Sequence, residues 1–260
     1  MASVPVEFVE LPSRGRVFRG GRRVHLGDVD TAGQLRLEAL ARYLQDVATD
    51  DADDARLSER RGVWVLRSSD IEIAALPWYH ETVELATFCS GTGPRWAERR
   101  TQLIGERGAR VEVAALWVFV DRERGRPLAL DDDFHARYGE SAGGRRVRGR
   151  LVHDAPPADA HRRSWPLRAS DFDVLDHVNN ARSLEAVEDE LSMRLPGRVP
   201  VRARIEYRGT LERGDAVELA SDVREDDGCA TELAAWLSVD DVLRVSATVA
   251  VAAGATGPER

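Results

Sequence analysis

The sequence predicts an α+β fold of two similar modules, each a long helix wrapped by an antiparallel sheet. Three observations predict it. A strand segment recurs without a gap, an acidic loop recurs ahead of a helical pattern, and alternating strands follow each helix.

The strand repeat sets Ile71–Ala86 against Ile205–Ala220 at an offset of 134, with six of sixteen positions identical. The loop repeat sets Asp28 and Asp30 against Asp171 and Asp173 at an offset of 143. Behind the first loop, Leu37, Leu40, Tyr43, Leu44 and Val47 share one helical face. Behind the second, Leu184, Val187 and Leu191 do the same. The helix offset is 144, so the second loop is one residue longer. Strands are expected at 83–88, 96–104 and 110–121, and again at 216–223, 230–239 and 243–252. Turns are expected at 105–108, 226–228 and 240–241. Residues 140–160, rich in Gly, Pro, Ala and Arg, read as a linker between an N-terminal module (1–139) and a C-terminal module (161–260).

Hydrophobic residues at 43% and charged residues at 32% allow a packed core and exclude wholesale disorder. A net charge of −8 argues against nucleic acid as the partner. No run approaches the ~20 apolar residues of a membrane span, and no signal peptide is legible, so a cytoplasmic setting is expected. Cys89 and Cys229 lack metal or redox spacing and read as small buried apolar residues.

The two acidic loops differ in content. Only the second carries a histidine and paired asparagines, so chemistry is expected there. Asn179 or Asn180 suits a helix N-cap. The N–H groups around Val178, Asn179 and Asn180, at the positive end of a helix, suit an oxyanion. Losing one such donor typically raises a barrier by about 3–4 kcal/mol. His177 suits carbonyl binding or proton relay. Asp173 suits orienting His177 or acting as base on water, work that contributes on the order of 10²–10⁴ in rate. His25, His80, His135, His153 and His161 show no partner pattern and read as surface or packing residues.

At this loop a resemblance emerges. Arg168–Asn180, RASDFDVLDHVNN, resembles the second-module motif of the acyl-acyl carrier protein thioesterases. Asp28–Val47, Trp64–Arg67, Trp78-Tyr79 and Trp96–Arg100 resemble their first module, so the likeness runs over roughly residues 15–250. The resemblance implies a tandem (double) hotdog fold, hydrolysis of a fatty acyl thioester on acyl carrier protein, and no metal or nucleotide cofactor. It puts the catalytic aspartate and histidine on Asp173 and His177. Two positions depart from the family: Leu175 stands where an asparagine is common, and Thr210 where a glutamate is common. Glu212, two residues further along the same strand face, is a candidate replacement for the second.

The resemblance also implies that the first module shapes the acyl pocket, with Leu40, Tyr43, Leu44, Trp64, Leu66 and Trp117 as candidates. Acyl carrier protein is acidic, so the linker arginines Arg145, Arg146, Arg148 and Arg150 are the expected docking surface. Both halves of a site lie in one chain, which suits a monomer or a homodimer. An acyl-CoA thioesterase of the same fold and a non-catalytic acyl-binding protein are the alternatives.

Overall fold

The structure, a computed structural model, describes residues 8–57, 62–225 and 231–253. Cys229 and the turn expected at 226–228 lie outside them. The first module runs β1 (Phe18–Arg23), α1 (Leu37–Asp54), β2 (Gly62–Ala75), β3 (Thr82–Thr92), β4 (Trp96–Gly105), β5 (Arg110–Asp121) and α2 (Asp132–Ala142). The second runs β6 (His161–Trp165), α3 (Ser183–Arg194), β7 (Arg198–Tyr207), β8 (Val217–Glu225), β9 (Thr231–Val239) and β10 (Val242–Ala253).

All these strands join one antiparallel sheet in the order β1-β3-β4-β5-β2-β7-β10-β9-β8-β6. The order reads the same from either edge once equivalent strands are matched, so the modules are related by an approximate twofold axis. That axis passes between β2 and β7, whose register pairs Ser68–Glu72 with Arg202–Glu206. Each module's helix buries its apolar stripe in a shared core. Leu40, Tyr43 and Val47 of α1 and Leu184 and Val187 of α3 meet inward strand residues such as Ile71, Val111, Ile205 and Leu233. Burying side chains of this size stabilises by roughly 1.5–3 kcal/mol each, which is why the helical spacing of these residues dictates their placement.

Asp70 and Arg204 face each other across the β2–β7 seam. They are the same position in the two copies at the offset of 134, and they form an ion pair at 2.7 Å. A second pair, Arg182 with Glu38 at 3.3 Å, joins equivalent positions of the two helices at the offset of 144. In a dimer of identical modules both would be like-charge contacts. Duplication let the two copies diverge to opposite signs.

Two features depart from the sequence reading. The helix α2 was not expected, and it runs to Ala142, three residues into the expected linker. Asp131 caps it by accepting from Phe134 N at 2.8 Å, and Phe134 and Tyr138 pack with Leu57, Cys89 and Ala97. The rest of the linker is bound to the sheet rather than free. Period-2 alternation sends Ile205 and Tyr207 into the core and Glu206 to the opposite face. There Val152 N and His153 N donate to Glu206, at 2.6 and 3.2 Å. Trp96 Nε1 donates to Val147 O and Trp236 Nε1 to Asp154 O. The linker thus crosses the sheet's outer face, away from the helices. No helix among the described residues is long and apolar enough to cross a membrane.

Candidate active site

The two acidic loops share a backbone plan. Asp28 accepts from His25 N at 2.9 Å and Asp171 from Arg168 N at 2.7 Å. Asp30 N donates to Gln34 O and Asp173 N to His177 O. The tight bend needs a left-handed residue, Gly33 (φ 89°) in the first loop and Asp176 (φ 58°) in the second. The Asp173 carboxylate accepts from Leu175 N at 2.9 Å, which fixes its position. Gln34 and Trp78, bridged in the first module, correspond to His177 and Glu212, bridged in the second.

A cavity of about 330 Å³ lies at the module seam. Asp173, Leu175 and Asn180 of the second module line it. Gln45, Ala48 and Thr49 of α1, Trp64 of β2, Ala97 and Arg99 of β4, Trp117 of β5, and Phe134 and Tyr138 of α2 line it from the first. A smaller apolar void adjoins it, lined by Leu44, Leu66, Leu184 and Tyr207, and shares Arg99, Trp117 and Asn180 with the larger one. Of the expected pocket residues, Trp64 and Trp117 therefore line the cavity, while Leu44 and Leu66 line the void. Leu40 and Tyr43 line neither. Their helical phase turns them into the core, where the Tyr43 hydroxyl donates to Asp28 at 2.7 Å.

The N–H groups expected to hold an oxyanion are mostly committed. Val178 N donates to Leu211 O, Asn179 N to Asp171 O, and Arg182 N to Asn179 O. Ala181 N donates to the Asn179 side chain at 3.0 Å. Asn179 thus caps an irregular turn, and α3 itself starts later, at Ser183, with Arg182 as its N-cap. The extra loop residue creates that turn. Within 178–182, Asn180 N alone has no acceptor among the described residues, and Asn180 borders both the cavity and the void.

His177 falls outside the cavity lining. It is the extended neighbour of Val178, which points inward and is buried, so its ring leaves on the other side. Glu212 is its cross-strand partner, is exposed, and accepts from Thr210 Oγ1 at 3.2 Å. The structure therefore brings Asp173 and Asn180 to the cavity, and brings Glu212 to His177 rather than to the cavity.

A charged group unforeseen from sequence forms part of the cavity wall. Arg99 pairs with the buried Asp51 at 2.6 Å, which also binds Arg16 at 2.6 Å and accepts from the Tyr138 hydroxyl at 2.9 Å. Burial, with the Asp51 charge beside it, pushes the Tyr138 phenol up to about 12. The signal was an arginine at an inward position of β4, in phase with Ala97, Thr101 and Leu103.

The corresponding helix start in the first module is closed. Leu37 N donates to Oε1 of Glu188, which reaches across from α3 at 2.5 Å. The equivalent of Glu188 in the first helix is Leu44, so an apolar side chain and a void take that place beside Asn180. Burial pushes Glu188 up to about 7. Its folded-state value is raised, so the stability it contributes is full below its unfolded value of 4.5 and is lost as pH rises toward 7. At ~1.4 kcal/mol per unit, the loss is roughly 3 kcal/mol. Urea unfolding at pH 5 and pH 7.5 should show this slope in the wild type and a flatter one in Glu188→Gln. Equal slopes would contradict it.

Paired helix-and-sheet modules sharing one sheet, with a cavity at their seam, define a class by architecture, the double-hotdog proteins. Family profiles for the acyl-ACP thioesterase N-terminal and C-terminal domains match residues 15–138 and 155–248, where ACP is acyl carrier protein. The chain belongs to the acyl-ACP thioesterase family. An uncharacterised protein of Mycobacterium tuberculosis is 30% identical over 223 residues, covering 86% of this chain and 89% of that one. Among solved structures, one described as an oleoyl thioesterase from Lactobacillus plantarum shares the fold at a TM-score of 0.83 and 19% identity, covering 94% of this chain and 98% of that one. The 12:0-ACP thioesterase of Umbellularia californica shares it at 0.76 and 16%, covering 91% and 94%.

Proposed function

We propose that this thioesterase seats the fatty acyl chain of an acyl-ACP in the seam cavity and hydrolyses its thioester at Asp173 and Asn180. The observation that carries this is their convergence on one cavity whose other walls come from the first module. Asp173 accepts a proton from a water that attacks the carbonyl carbon. The developing oxyanion takes the unclaimed Asn180 N–H. The carbon–sulfur bond then breaks, the carrier thiolate leaves and takes up the proton, and the free fatty acid remains. His177 supplies the second titratable group of the family motif from just outside the cavity.

Carrier docking is assigned to the exposed linker residues Arg146, Arg148 and Arg150. Arg145 drops out of the expected set, because Glu98 holds it at 2.6 Å. A free-thiol release assay over a panel of acyl lengths tests the function, run on matched acyl-ACP and acyl-CoA. Turnover with a preference for the carrier-bound substrate is expected. The second reading, a non-catalytic acyl-binding protein, is favoured by Leu175, Thr210 and the placement of His177. Tight acyl binding without thiol release, unaffected by His177→Ala, would establish it.

A further inference from the structure

The β2–β7 pairing stops at Ser68 and Glu206. Residues 62–67 of β2 keep β5 on one side and, among the described residues, have no strand partner on the other. The seam therefore opens at this point, next to Trp64 and Leu66, which line the cavity and the void, and to Tyr207, whose hydroxyl donates to Asn180 O at 3.1 Å.

Three arginines gather at the opening. Arg67 is the residue skipped where the β2–β5 register shifts between Leu66 and Ser68. Arg244 is the residue skipped where the β9–β10 register shifts between Leu243 and Val245. Bulges of this kind re-aim a side chain. Here both side chains reach the same peptide. Arg67 Nη1 donates to Arg208 O at 3.4 Å, and the Arg244 guanidinium lies over Gly209, where a Cβ would meet its Nη1 at 2.9 Å. Arg208 completes the group from the outer face.

The cluster has more positive charge than its surroundings neutralise. Neither Arg67 nor Arg244 has an ion pair among the described residues. Arg208 shares Glu206 with Arg204, and Asp70 is held by Arg204. The Nε of Arg208 and that of Arg244 are buried without an acceptor. Burial and the neighbouring Arg208 charge hold the Arg67 guanidinium below its ordinary value. Three guanidinium groups brought together with one carboxylate, Glu206, which Arg204 also claims, suit an anion with several acceptor oxygens.

We propose that Arg67, Arg208 and Arg244 form a phosphate site at the mouth of the seam, which holds the phosphate of a 4′-phosphopantetheine arm while its thioester lies at Asp173 and Asn180. The proposal rests on the thioesterase reading above. The linker supports the direction of approach, since Arg150 O accepts from Arg204 Nη2 and Arg208 Nη2 donates to His153 O. The docking arginines thus lead along the outer face to this mouth.

The test compares acyl-pantetheine, which lacks phosphate, with acyl-4′-phosphopantetheine, on wild type and on Arg67→Gln and Arg244→Gln, each checked by thermal melting. Wild type should show a KM about tenfold lower for the phosphorylated substrate. Both variants should lose that advantage and keep their KM for acyl-pantetheine. Equal KM values for the two substrates on wild type would overturn the site, as would equal losses on both in the variants. Acyl-CoA and acyl-ACP arms separate the sources of phosphate: a further loss in Arg146→Glu on acyl-ACP alone marks the carrier. If no thioester is cleaved, the catalytic reading falls, and calorimetry with 4′-phosphopantetheine against pantetheine still decides the site.

Discussion

Asp173→Asn is expected to lower kcat/KM for acyl-ACP by about 10²–10⁴ and to leave the melting temperature nearly unchanged. The asparagine keeps an oxygen to accept from Leu175 N, so the loop bend persists. What is lost is the ability to take a proton from water beside the cavity. His177→Ala is expected to act differently. Its ring has no hydrogen bond among the described residues and stands outside the cavity, so a smaller loss of kcat/KM is expected. Single-turnover thiol release by both variants measures this. An Asp173→Asn enzyme as fast as wild type would remove Asp173 from the chemistry.

The second large effect concerns the twofold axis. Arg204→Asp is expected to destabilise the chain by about 1–3 kcal/mol, because it leaves the half-buried Asp70 carboxylate facing a like charge. Burial already pushes the Asp70 carboxyl up, against the pull of Arg204, so a second carboxylate opposite it is poorly tolerated. The exchange Asp70→Arg with Arg204→Asp should recover part of the loss, since the axis makes the two positions alike. Recovery stays partial because Glu206 also leans on Arg204, at 3.1 Å. Denaturant midpoints of the two singles and the double form a cycle that reads the coupling directly. Additive losses would show that the pair does not join the modules.

Much of this architecture was legible in the sequence because duplication writes itself twice. The offset of 134 in the strands and of 143 in the loops gave the module order, and alternating hydrophobicity gave most strands. The helix α2 was hidden beside a Gly- and Arg-rich segment whose composition suggests a linker. Asp173 and Asn180 stand out as candidates in the sequence because they share one loop, and the fold sets both on the cavity wall. The orientation of His177 was not legible, since it depends on a bridge to Glu212, thirty-five residues away in the chain. Arg99, Asp51 and Tyr138 escaped notice because their contact spans three elements. Arg67 and Arg244 escaped because a bulge breaks the very alternation by which strands are read. The offset already matched Asp70 to Arg204, but only strand pairing shows that equivalent residues meet.

The sheet's outermost members, β1 and β6, have a bearing on how the protein behaves when crowded. Two separate modules would present four unpaired borders; the fused one presents two. Both are short, and both carry arginines, in FRGGRR and HRRSW. Carboxylates hold most of those guanidinium groups, Arg22 by Asp46 and Arg163 by Glu190, so what limits these borders is their length: a short strand offers few free amides for another chain to copy. Fusion therefore also narrows the route to fibre growth, by halving the exposed seams and leaving only short ones.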